Sequence, residues 1–456
     1  MVLVSINPAT SQEIKVYPEH SNEQVVQILE DTSLDQHKWS KTDLDFRLSC
    51  LEQLSATIND KKRELSSLIS NEMGKPFLQA EGEIEKCIWL FDYYQNNSKK
   101  FLSDKTIDSD SEKCYVTYQP LGIVLGVMPW NFPFWQVFRF AIPTLIAGNG
   151  AILKHSSNVQ GCAYSIESCF QLAGFPSNIF RNISIKGKNV KQVIKNPLIK
   201  AVSLTGSTPA GRSVAETAGK YIKKTVLELG GSDPYIILED ANLDIALKAC
   251  ISGRILNTGQ SCISAKRIIV VERLYNIFLD MLEKKLSEKI MGDPMDNVDI
   301  GPMVTKDARD EVHGQVMRSV DAGASLILGG YIPDLPGSFY PITLLSDVKP
   351  GIPAFDEEIF GPVFSIIKAK DENNAIEMSN QTPFGLGAAV FTDDIDKGEK
   401  IAKKKLEAGI CVVNDFVKSD PRLPFGGVKE SGYGRELSSY GILEFVNVKT
   451  VSVNNV

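Results

Sequence analysis

The segment Leu121-Gly122-Ile123-Val124-Leu125-Gly126-Val127 begins a series of short apolar runs separated by helical patterns. Similar runs follow at 150–154, 201–205 and 225–229, with helices predicted at 138–147 and 211–220. Strands that are apolar at every position are typical of a parallel sheet covered by helices on both faces. The alternation therefore predicts an α/β fold with a parallel sheet wound by crossover helices.

The flanking regions follow other patterns. Before this series, apolar residues at three-to-four spacing predict helices at 22–29, 43–54, 63–73 and 78–96, with a stop at Gly74-Lys75-Pro76. After it, a second alternating series from 268 to 408, including 325–328 and 388–391, predicts a second α/β domain. Residues 113–118 alternate in polarity, which predicts an exposed hairpin or an edge strand suited to subunit contact. The last stretch, 445–456, is strand-like and could pair with it.

The composition excludes several classes of protein. A chain of 456 residues that is 43% hydrophobic and 23% charged is typical of a globular protein with two or three domains. A net charge of -7 without a dense basic arm argues against a nucleic-acid partner. The longest apolar runs, at 121–130 and 138–147, are too short to cross a membrane, and the first eight residues do not resemble a signal peptide. We therefore expect a soluble, cytoplasmic protein without a membrane partner.

The cysteines and histidines show no metal-ligand spacing. Eight cysteines lack any paired CxxC pattern, and four scattered histidines pair neither with one another nor with a cysteine. Reduced thiols and no metal site are expected.

One cysteine stands in a distinctive setting, Asn257-Thr258-Gly259-Gln260-Ser261-Cys262-Ile263-Ser264-Ala265-Lys266-Arg267. Small neighbours and nearby positive charge favour an accessible thiolate, which makes Cys262 a candidate nucleophile. The alternative is an inert buried thiol.

Two features at the ends of predicted strands could bind a ligand. Lys154 could donate to a ribose or a phosphate, or it could be a solvated strand end. The turn Gly206-Ser207-Thr208-Pro209-Ala210-Gly211 opens a helix whose amides suit an anion, although many such turns bind nothing.

Two further side chains suit work on a carbonyl group. Glu228 interrupts an apolar strand, where burial should raise its pKa as a general base requires, unless it is paired with a lysine or arginine. Asn131, in an aromatic turn, could donate its amide to an oxyanion or simply cap the turn. A thiol, a carboxylate, an amide and a lysine together fit nucleophilic attack on a carbonyl.

These residues resemble the aldehyde dehydrogenase superfamily over nearly the whole chain. The matching motifs, in order, are Asn7-Pro8-Ala9-Thr10, Gly74-Lys75-Pro76, Pro129-Trp130-Asn131-Phe132-Pro133, Thr205-Gly206-Ser207, Leu227-Glu228-Leu229-Gly230-Gly231, Asn257-Thr258-Gly259-Gln260-Ser261-Cys262, Glu357-Glu358-Ile359-Phe360-Gly361-Pro362 and Pro424-Phe425-Gly426-Gly427-Val428-Lys429. The resemblance implies an aldehyde dehydrogenase-like α/β fold with a parallel-sheet cofactor domain, an α/β catalytic domain and a small β oligomerisation arm. It places the dinucleotide-binding domain at 1–100 and 119–230, the catalytic domain at 231–444 and the arm at 101–118 and 445–456, in a homodimer or homotetramer.

The resemblance also assigns roles in the reaction. Cys262 would attack the aldehyde to form a thiohemiacetal, with the oxyanion held by the Asn131 side chain and the Cys262 backbone N–H. Hydride transfer to nicotinamide would leave a thioester, and Glu228 would activate the water that hydrolyses it.

The implied cofactor is NADP or NAD, and the implied cofactor-binding residues are Trp130, Lys154, Ser157, Gly206, Ser207, Leu229, Glu358 and Phe360. Related chains usually have proline at position 155, and NAD-preferring ones often have glutamate at position 157. Here these positions are His155 and Ser157, so a 2'-phosphate would meet no repelling carboxylate and NADP+ should be accepted.

Within the superfamily, the chain is most similar to compact bacterial succinate-semialdehyde dehydrogenases, and the implied reaction is NAD(P)-dependent oxidation of succinate semialdehyde. Arg139 matches an arginine that binds the distal carboxylate, unless it lies on a helix surface. A second arginine common in that group is Leu256 here, and Arg422 and Ser419 could compensate. Ser264 replaces a cysteine of many relatives, so no local disulfide switch is expected.

Other functions remain open at this point. A broad-specificity or glutarate-semialdehyde dehydrogenase would share the fold, and a CoA-acylating enzyme is disfavoured by Glu228. A cofactor-free amidase using Cys, Glu and Lys, or a non-enzymatic structural protein, would belong to a different class.

Overall fold

The computed structural model describes residues 2–454. The strands are β1 (Val2–Ile6), β2 (Glu13–Pro18), β3 (Lys105–Thr106), β4 (Lys113–Pro120), β5 (Ile123–Met128), β6 (Gly150–His155), β7 (Phe180–Asn182), β8 (Ile199–Thr205), β9 (Lys224–Glu228), β10 (Asp233–Ile237), β11 (Ala265–Val271), β12 (Ser325–Leu328), β13 (Thr343–Val348), β14 (Val363–Ala369), β15 (Gly387–Phe391), β16 (Ile410–Val413), β17 (Gly432–Tyr433) and β18 (Val446–Val453). The α-helices are α1 (Asn22–Trp39), α2 (Leu44–Asp60), α3 (Lys62–Met73), α4 (Phe77–Leu102), α5 (Trp135–Ile146), α6 (Gln160–Leu172), α7 (Val190–Lys195), α8 (Thr208–Lys220), α9 (Leu243–Ile255), α10 (Glu272–Ser287), α11 (Lys306–Asp321), α12 (Pro353–Asp356), α13 (Glu372–Asn380), α14 (Ile395–Lys404) and α15 (Ser438–Glu444).

The first large sheet has six strands in the order β17-β9-β8-β5-β6-β7. Its pairs are parallel except that β17 joins β9 antiparallel, so a segment from late in the chain completes a sheet built from early strands. The strands expected from the apolar runs at 121–127, 150–154, 201–205 and 225–229 are confirmed, with ends shifted by one to two residues. Their side chains are almost entirely buried, which is why these strands are apolar at every position.

The second large sheet has seven strands in the order β12-β13-β14-β11-β10-β15-β16. It is parallel apart from the edge pair of β12 and β13. Two apolar cores cover its faces, one containing Ile236 and Ile269 and the other Tyr235 and Ile268. Adjacent residues fall into opposite cores because side chains alternate along a strand. The second alternating series of the sequence thus forms an α/β unit as expected.

A separate three-stranded sheet has the order β18-β4-β3. The C-terminal strand pairs antiparallel with β4 from Val446 opposite Pro120 to Val453 opposite Lys113, which confirms the expected pairing. Of the two alternatives for residues 113–118, a hairpin strand is correct, because β4 lies between β3 and β18. Positions 455 and 456 of the predicted strand, and Met1, lie outside the described residues.

Helix α5 is buried along its whole length and packs against α4. It begins about one turn before the predicted 138–147 helix, because the Glu83 carboxylate accepts the backbone N–H groups of Phe134 and Trp135. Glu83 is itself ion-paired with Lys75. A buried carboxylate at a helix N-terminus compensates the free amides and the positive end of the dipole. This contact fixes the start of α5, which carries Arg139.

Within residues 2–454, no helix combines the length and apolar character that crossing a membrane requires.

Candidate active site

Cys262 follows a strained turn between α9 and β11. Asn257, Thr258 and Gly259 all adopt positive φ, at 56°, 56° and 74°. This is costly for a β-branched residue such as Thr258, whose hydroxyl exchanges hydrogen bonds with the backbone of Gly301. A Cβ at position 259 would lie 2.2 Å from the Gly361 carbonyl oxygen, so only glycine fits. The surrounding structure therefore imposes the conformation that presents Cys262.

The same turn is tied to the turn that carries Asn131. The Asn257 side chain donates to the carbonyl oxygens of Asn131 at 2.8 Å and Gln260 at 3.0 Å. The Gln260 side chain accepts from the Val304 backbone N–H at 2.9 Å. Residues far apart in sequence are thus held in one network of buried hydrogen bonds, which fixes the thiol relative to the amide.

Cys262 lies where two cavities meet. A smaller cavity of about 280 Å³ and a larger one of about 530 Å³ are both lined by Cys262 and Gln136. Cys262 is partly buried and forms part of the wall of each cavity. An electrophile in one cavity and an acceptor in the other would therefore both lie next to this residue.

The charge around the thiol differs from the sequence-based expectation. Burial raises the pKa of Cys262 to about 12, while Lys266 and Arg139 act to lower it. Lys266 donates to the carbonyl oxygens of Ser261 and Cys262 and pairs with Glu358 at 3.1 Å. The expected cationic field is present, but desolvation outweighs it because the lysine is directed at the backbone.

Asn131 is placed as an oxyanion donor. Its Nδ2 donates to the Gln260 carbonyl oxygen at 3.0 Å, and its Oδ1 accepts from Gln136 at 3.1 Å. An amide nitrogen carries two hydrogens, so one remains for a ligand. Among the described residues, the Cys262 backbone N–H has no acceptor. Two donors are thus free near the sulfur, as an oxyanion requires.

Glu228 ends β9 as a buried carboxylate. Neither of its oxygens has a hydrogen-bond partner in the described part of the chain, and one packs against Gly426. Burial raises its pKa well above the ordinary value, Glu436 raises it further, and Arg139 and Arg435 act in the opposite direction. The raised pKa expected from the sequence is confirmed. The alternative of a direct ion pair of Glu228 with a lysine or arginine is not formed in the described part of the chain.

Arg139 is buried on α5, which excludes the alternative of a helix-surface arginine. It forms an ion pair with the buried Glu436, and its Nη2 donates to the Thr205 hydroxyl at 3.4 Å. Its guanidinium also lies 4.5 Å from the centroid of the Phe425 ring. Arg139 therefore reaches the smaller cavity with its charge already compensated.

The larger cavity suits a dinucleotide. Seven of the eight expected cofactor residues line it, namely Trp130, Ser157, Gly206, Ser207, Leu229, Glu358 and Phe360. Ser207 caps α8, and a Cβ at Gly206 would meet only a Leu204 side-chain carbon at 3.8 Å, so the helix N-terminus is uncrowded there and suits a phosphate. The eighth, Lys154, is the last residue but one of β6, and it is a buried lysine without a hydrogen-bond or ion-pair partner among residues 2–454. An unpaired buried cation and an open helix N-terminus both fit an anionic ligand.

The smaller cavity receives two of the three expected substrate residues. Arg139 and Ser419 line it, together with Trp135, Phe425 and Leu256. Arg422 does not: it is exposed and its guanidinium donates to both Asp420 oxygens. The loop that contains Arg422 turns this side chain outward, where its own neighbour satisfies it.

Four contributors were not singled out from the sequence: Lys86, Gln136, Lys266 and Glu436. Lys86 is one of several charged residues of α4, so its type does not distinguish it. Gln136 and Glu436 lie in segments whose sequence pattern does not indicate a site. Only Lys266, beside the nucleophile, carried a signal, as part of the cationic pair. The others reach the site through tertiary packing.

Known proteins give independent information. A model described as the Aldehyde dehydrogenase family matches residues 2–451. The chain is 44% identical over 452 residues to a probable succinate-semialdehyde dehydrogenase [NADP(+)] of Synechocystis sp., covering 99% of each. It is 41% identical to the succinate semialdehyde dehydrogenase [NAD(P)+] Sad of Escherichia coli, covering 98% of this chain and 97% of that one. A crystal structure of succinic semialdehyde dehydrogenase from Streptococcus pyogenes with NADP+ superposes with a TM-score of 0.97 at 36% identity, covering 99% of this chain and 100% of that one.

Proposed function

The chain belongs to the aldehyde dehydrogenase family, and we propose that it oxidises succinate semialdehyde to succinate with NADP+ or NAD+. The observation that carries the chemistry is the position of Cys262 at the junction of two cavities, with the free amide hydrogen of Asn131 and the buried Glu228 beside them. The family and the fold class expected from the motifs are confirmed.

We propose that the chain's own residues act as follows. The Cys262 thiol loses its proton to solvent water as the sulfur adds to the aldehyde carbon, and the Asn131 amide and the Cys262 backbone N–H stabilise the resulting oxyanion. The bound dinucleotide supplies the acceptor for the two electrons that leave with the aldehyde hydrogen. Glu228 then removes a proton from water as the water attacks the Cys262 thioester, and the thiol leaves as the carboxylic acid forms.

The residues of the larger cavity fit NADP. Lys154 is a cation without a partner, and Ser157 presents a hydroxyl where a carboxylate would repel a 2'-phosphate. The related proteins from Synechocystis and Escherichia coli carry NADP(+) and NAD(P)+ in their names. We propose that NADP+ is an accepted cofactor. Trp130 and Phe360, whose rings contact each other edge to face, would lie beside its nicotinamide end.

The smaller cavity supports a short, anionic aldehyde. Aromatic walls from Phe132, Trp135 and Phe425 enclose about 280 Å³, and cationic and hydroxyl groups interrupt them. We propose that Arg139 and Ser419 contact the substrate in this cavity, but that Arg139, which is ion-paired with Glu436, is not the residue that neutralises the substrate carboxylate. A hydrophobic enclosure with a few convergent polar groups is the usual form of a specific small-molecule site.

The test is a panel of aldehydes with each cofactor, followed by the absorbance of reduced nicotinamide. Succinate semialdehyde with NADP+ should give the highest kcat/KM, above glutarate semialdehyde and above butanal. Equal efficiency on butanal would favour a broad-specificity enzyme, and no absorbance gain with any aldehyde would exclude a dehydrogenase.

The assembly and location remain proposals. Within residues 2–454, the sheet of β18, β4 and β3 leaves the outer edges of β18 and β3 unpaired, and an unpaired edge can add a strand from a second copy. We propose a cytoplasmic homodimer or homotetramer, which light scattering of the purified protein would measure. We propose a division into a dinucleotide-binding domain, a catalytic domain and an arm, each with one of the three larger sheets, although β17 of the catalytic segment joins the sheet of the dinucleotide-binding domain.

A further inference from the structure

We infer that Lys86 is the residue that binds the distal carboxylate of the substrate and sets the preference for an acidic aldehyde. This inference rests on the proposed function, since it concerns how the smaller cavity selects its ligand. Lys86 lies on α4 and lines that cavity together with Cys262.

The geometry of Lys86 is that of an anion site. Its ammonium donates to the Ser419 hydroxyl at 2.8 Å and lies 4.7 Å from the centroid of the Trp135 ring. Both partners line the same cavity. An ammonium has three hydrogens, so donors remain for a carboxylate, and the Ser419 hydroxyl hydrogen can donate to the same group. The aromatic ring holds the lysine without neutralising it.

The charges of the cavity wall single out Lys86. Of the residues that the structure describes, three cations line the cavity: Lys86, Arg139 and Lys418. Arg139 is ion-paired with Glu436, and Lys418 pairs with Asp415 at 2.7 Å. Among residues 2–454, Lys86 has no carboxylate within ion-pair distance.

The carboxylates that act on Lys86 from further away are also occupied. Glu83 is ion-paired with Lys75, and Asp420 is paired with Arg422 at 2.6 Å. The positive charge of Lys86 is therefore the uncompensated one on this wall. A substrate carboxylate would supply the missing anion, and it would replace solvent at a partly desolvated ammonium.

This arrangement explains how the cavity can lack an arginine at position 256. Leu256 lines the same cavity and contributes only apolar surface. Lys86 reaches the cavity from another helix and supplies a charge there.

The pKa of Lys86 gives a signature for its role. Burial and Arg139 lower its pKa to about 8, while Glu83, Asp420 and Cys87 act to raise it. The charged form that binds an anion therefore predominates below pH 8 and is progressively lost above it. The affinity for an acidic aldehyde should fall as the pH rises above 8, up to tenfold for each unit.

The experiment measures kcat and KM for succinate semialdehyde and for butanal in the full-length enzyme and in Lys86→Met, Lys86→Arg and Lys418→Met. Loss of a hydrogen bond to a charged group is worth about 1.5–3 kcal/mol, so Lys86→Met should raise KM for succinate semialdehyde about 10- to 100-fold. Its KM and kcat for butanal should stay within about threefold. Lys418→Met is the matched control, because it removes a paired cation from the same wall. It should leave kcat and KM unchanged for both aldehydes.

The pH dependence separates binding from folding. In the wild type, KM for succinate semialdehyde should rise above pH 8, whereas in Lys86→Arg it should stay flat because guanidinium remains charged. An unchanged KM in Lys86→Met, or equal losses on both aldehydes in a folded variant, would overturn the role of Lys86. If the wild type itself does not prefer succinate semialdehyde over butanal, the proposed function fails before the lysine is tested.

Discussion

Arg139 and Glu436 form a buried ion pair next to Glu228, the carboxylate proposed as the base. Arg139 opposes the raised pKa of both carboxylates. The arginine is thus part of the charge balance around the base as well as of the cavity wall.

Replacing Arg139 by methionine should destabilise the protein and lower the reaction rate with every aldehyde. Glu436 would lose its ion-pair partner, and Glu228 would lose one of the two arginines that lower its pKa. Breaking a buried pair by removing one partner typically costs about 3–5 kcal/mol. Urea unfolding should show this loss, and the double variant Arg139→Met with Glu436→Gln should recover part of it. A stable Arg139→Met enzyme impaired only on succinate semialdehyde would instead make Arg139 the carboxylate contact.

Replacing Glu228 by glutamine should separate acylation from hydrolysis. The thiohemiacetal and the thioester need Cys262 and Asn131, whereas only the attack of water needs the Glu228 carboxylate. Rapid mixing with aldehyde and NADP+ should give a burst of reduced cofactor of about one per active site, followed by turnover slowed about 10²- to 10⁴-fold. Mass spectrometry should find the acyl group on the peptide that contains Cys262. If activity is lost and no burst appears, Glu228 is needed in a step that precedes thioester formation.

The raised pKa of Glu228 should also appear in the stability of the protein. The folded state holds this proton more tightly than the unfolded state, so its contribution is fully present below the unfolded pKa and is lost as the pH rises toward the folded value. As the pH rises above the unfolded pKa, the wild type should lose stability relative to Glu228→Gln by up to about 1.4 kcal/mol per pH unit. Urea unfolding of both proteins at several pH values measures this difference. A constant difference would show that the buried carboxylate is not protonated.

Placing glutamate at position 157 should reduce the use of NADP+. Ser157 lines the larger cavity, and a carboxylate there would repel a 2'-phosphate while accepting from ribose hydroxyls. The ratio of kcat/KM for NADP+ to that for NAD+ should fall about 10- to 100-fold in Ser157→Glu, equivalent to about 1.4–2.8 kcal/mol. Ser157→Ala is the control, since it removes the hydroxyl without adding charge. Equal losses for both cofactors would place the 2'-phosphate elsewhere.

Cys262 should react slowly with alkylating reagents at neutral pH in the enzyme without cofactor. Its pKa is raised to about 12 by burial, so the thiolate fraction should still increase between pH 7 and 10. Iodoacetamide labelling, followed by peptide mass spectrometry, should show a rate that climbs steadily over this range. A plateau below pH 8 would mean that Lys266 and Arg139 lower the pKa more than burial raises it.

The sequence by itself determined the alternation of strands and helices and the positions of the motifs. Strands buried on both faces must be apolar throughout, so the runs at 150–154 and 201–205 were visible without a structure. The residues of the turn before Cys262 could also be identified from the sequence. Packing restricts their type, because a Cβ at position 259 would collide with Gly361. Local sequence carries such information when one residue's surroundings demand one type of side chain.

Only the tertiary structure decided which charges face one another. Glu436 reaches Arg139 because β17 returns to pair with β9, and Ser419 reaches Lys86 because its loop closes over α4. Arg422, three residues beyond Ser419, turns outward to Asp420. A charge in the sequence looks the same whether it is compensated or free. Its energy depends on burial and on partners that are distant in the chain. Lys86 can therefore be identified as the unpaired cation of the smaller cavity only from the packing of α4, α5 and the loop that carries Ser419.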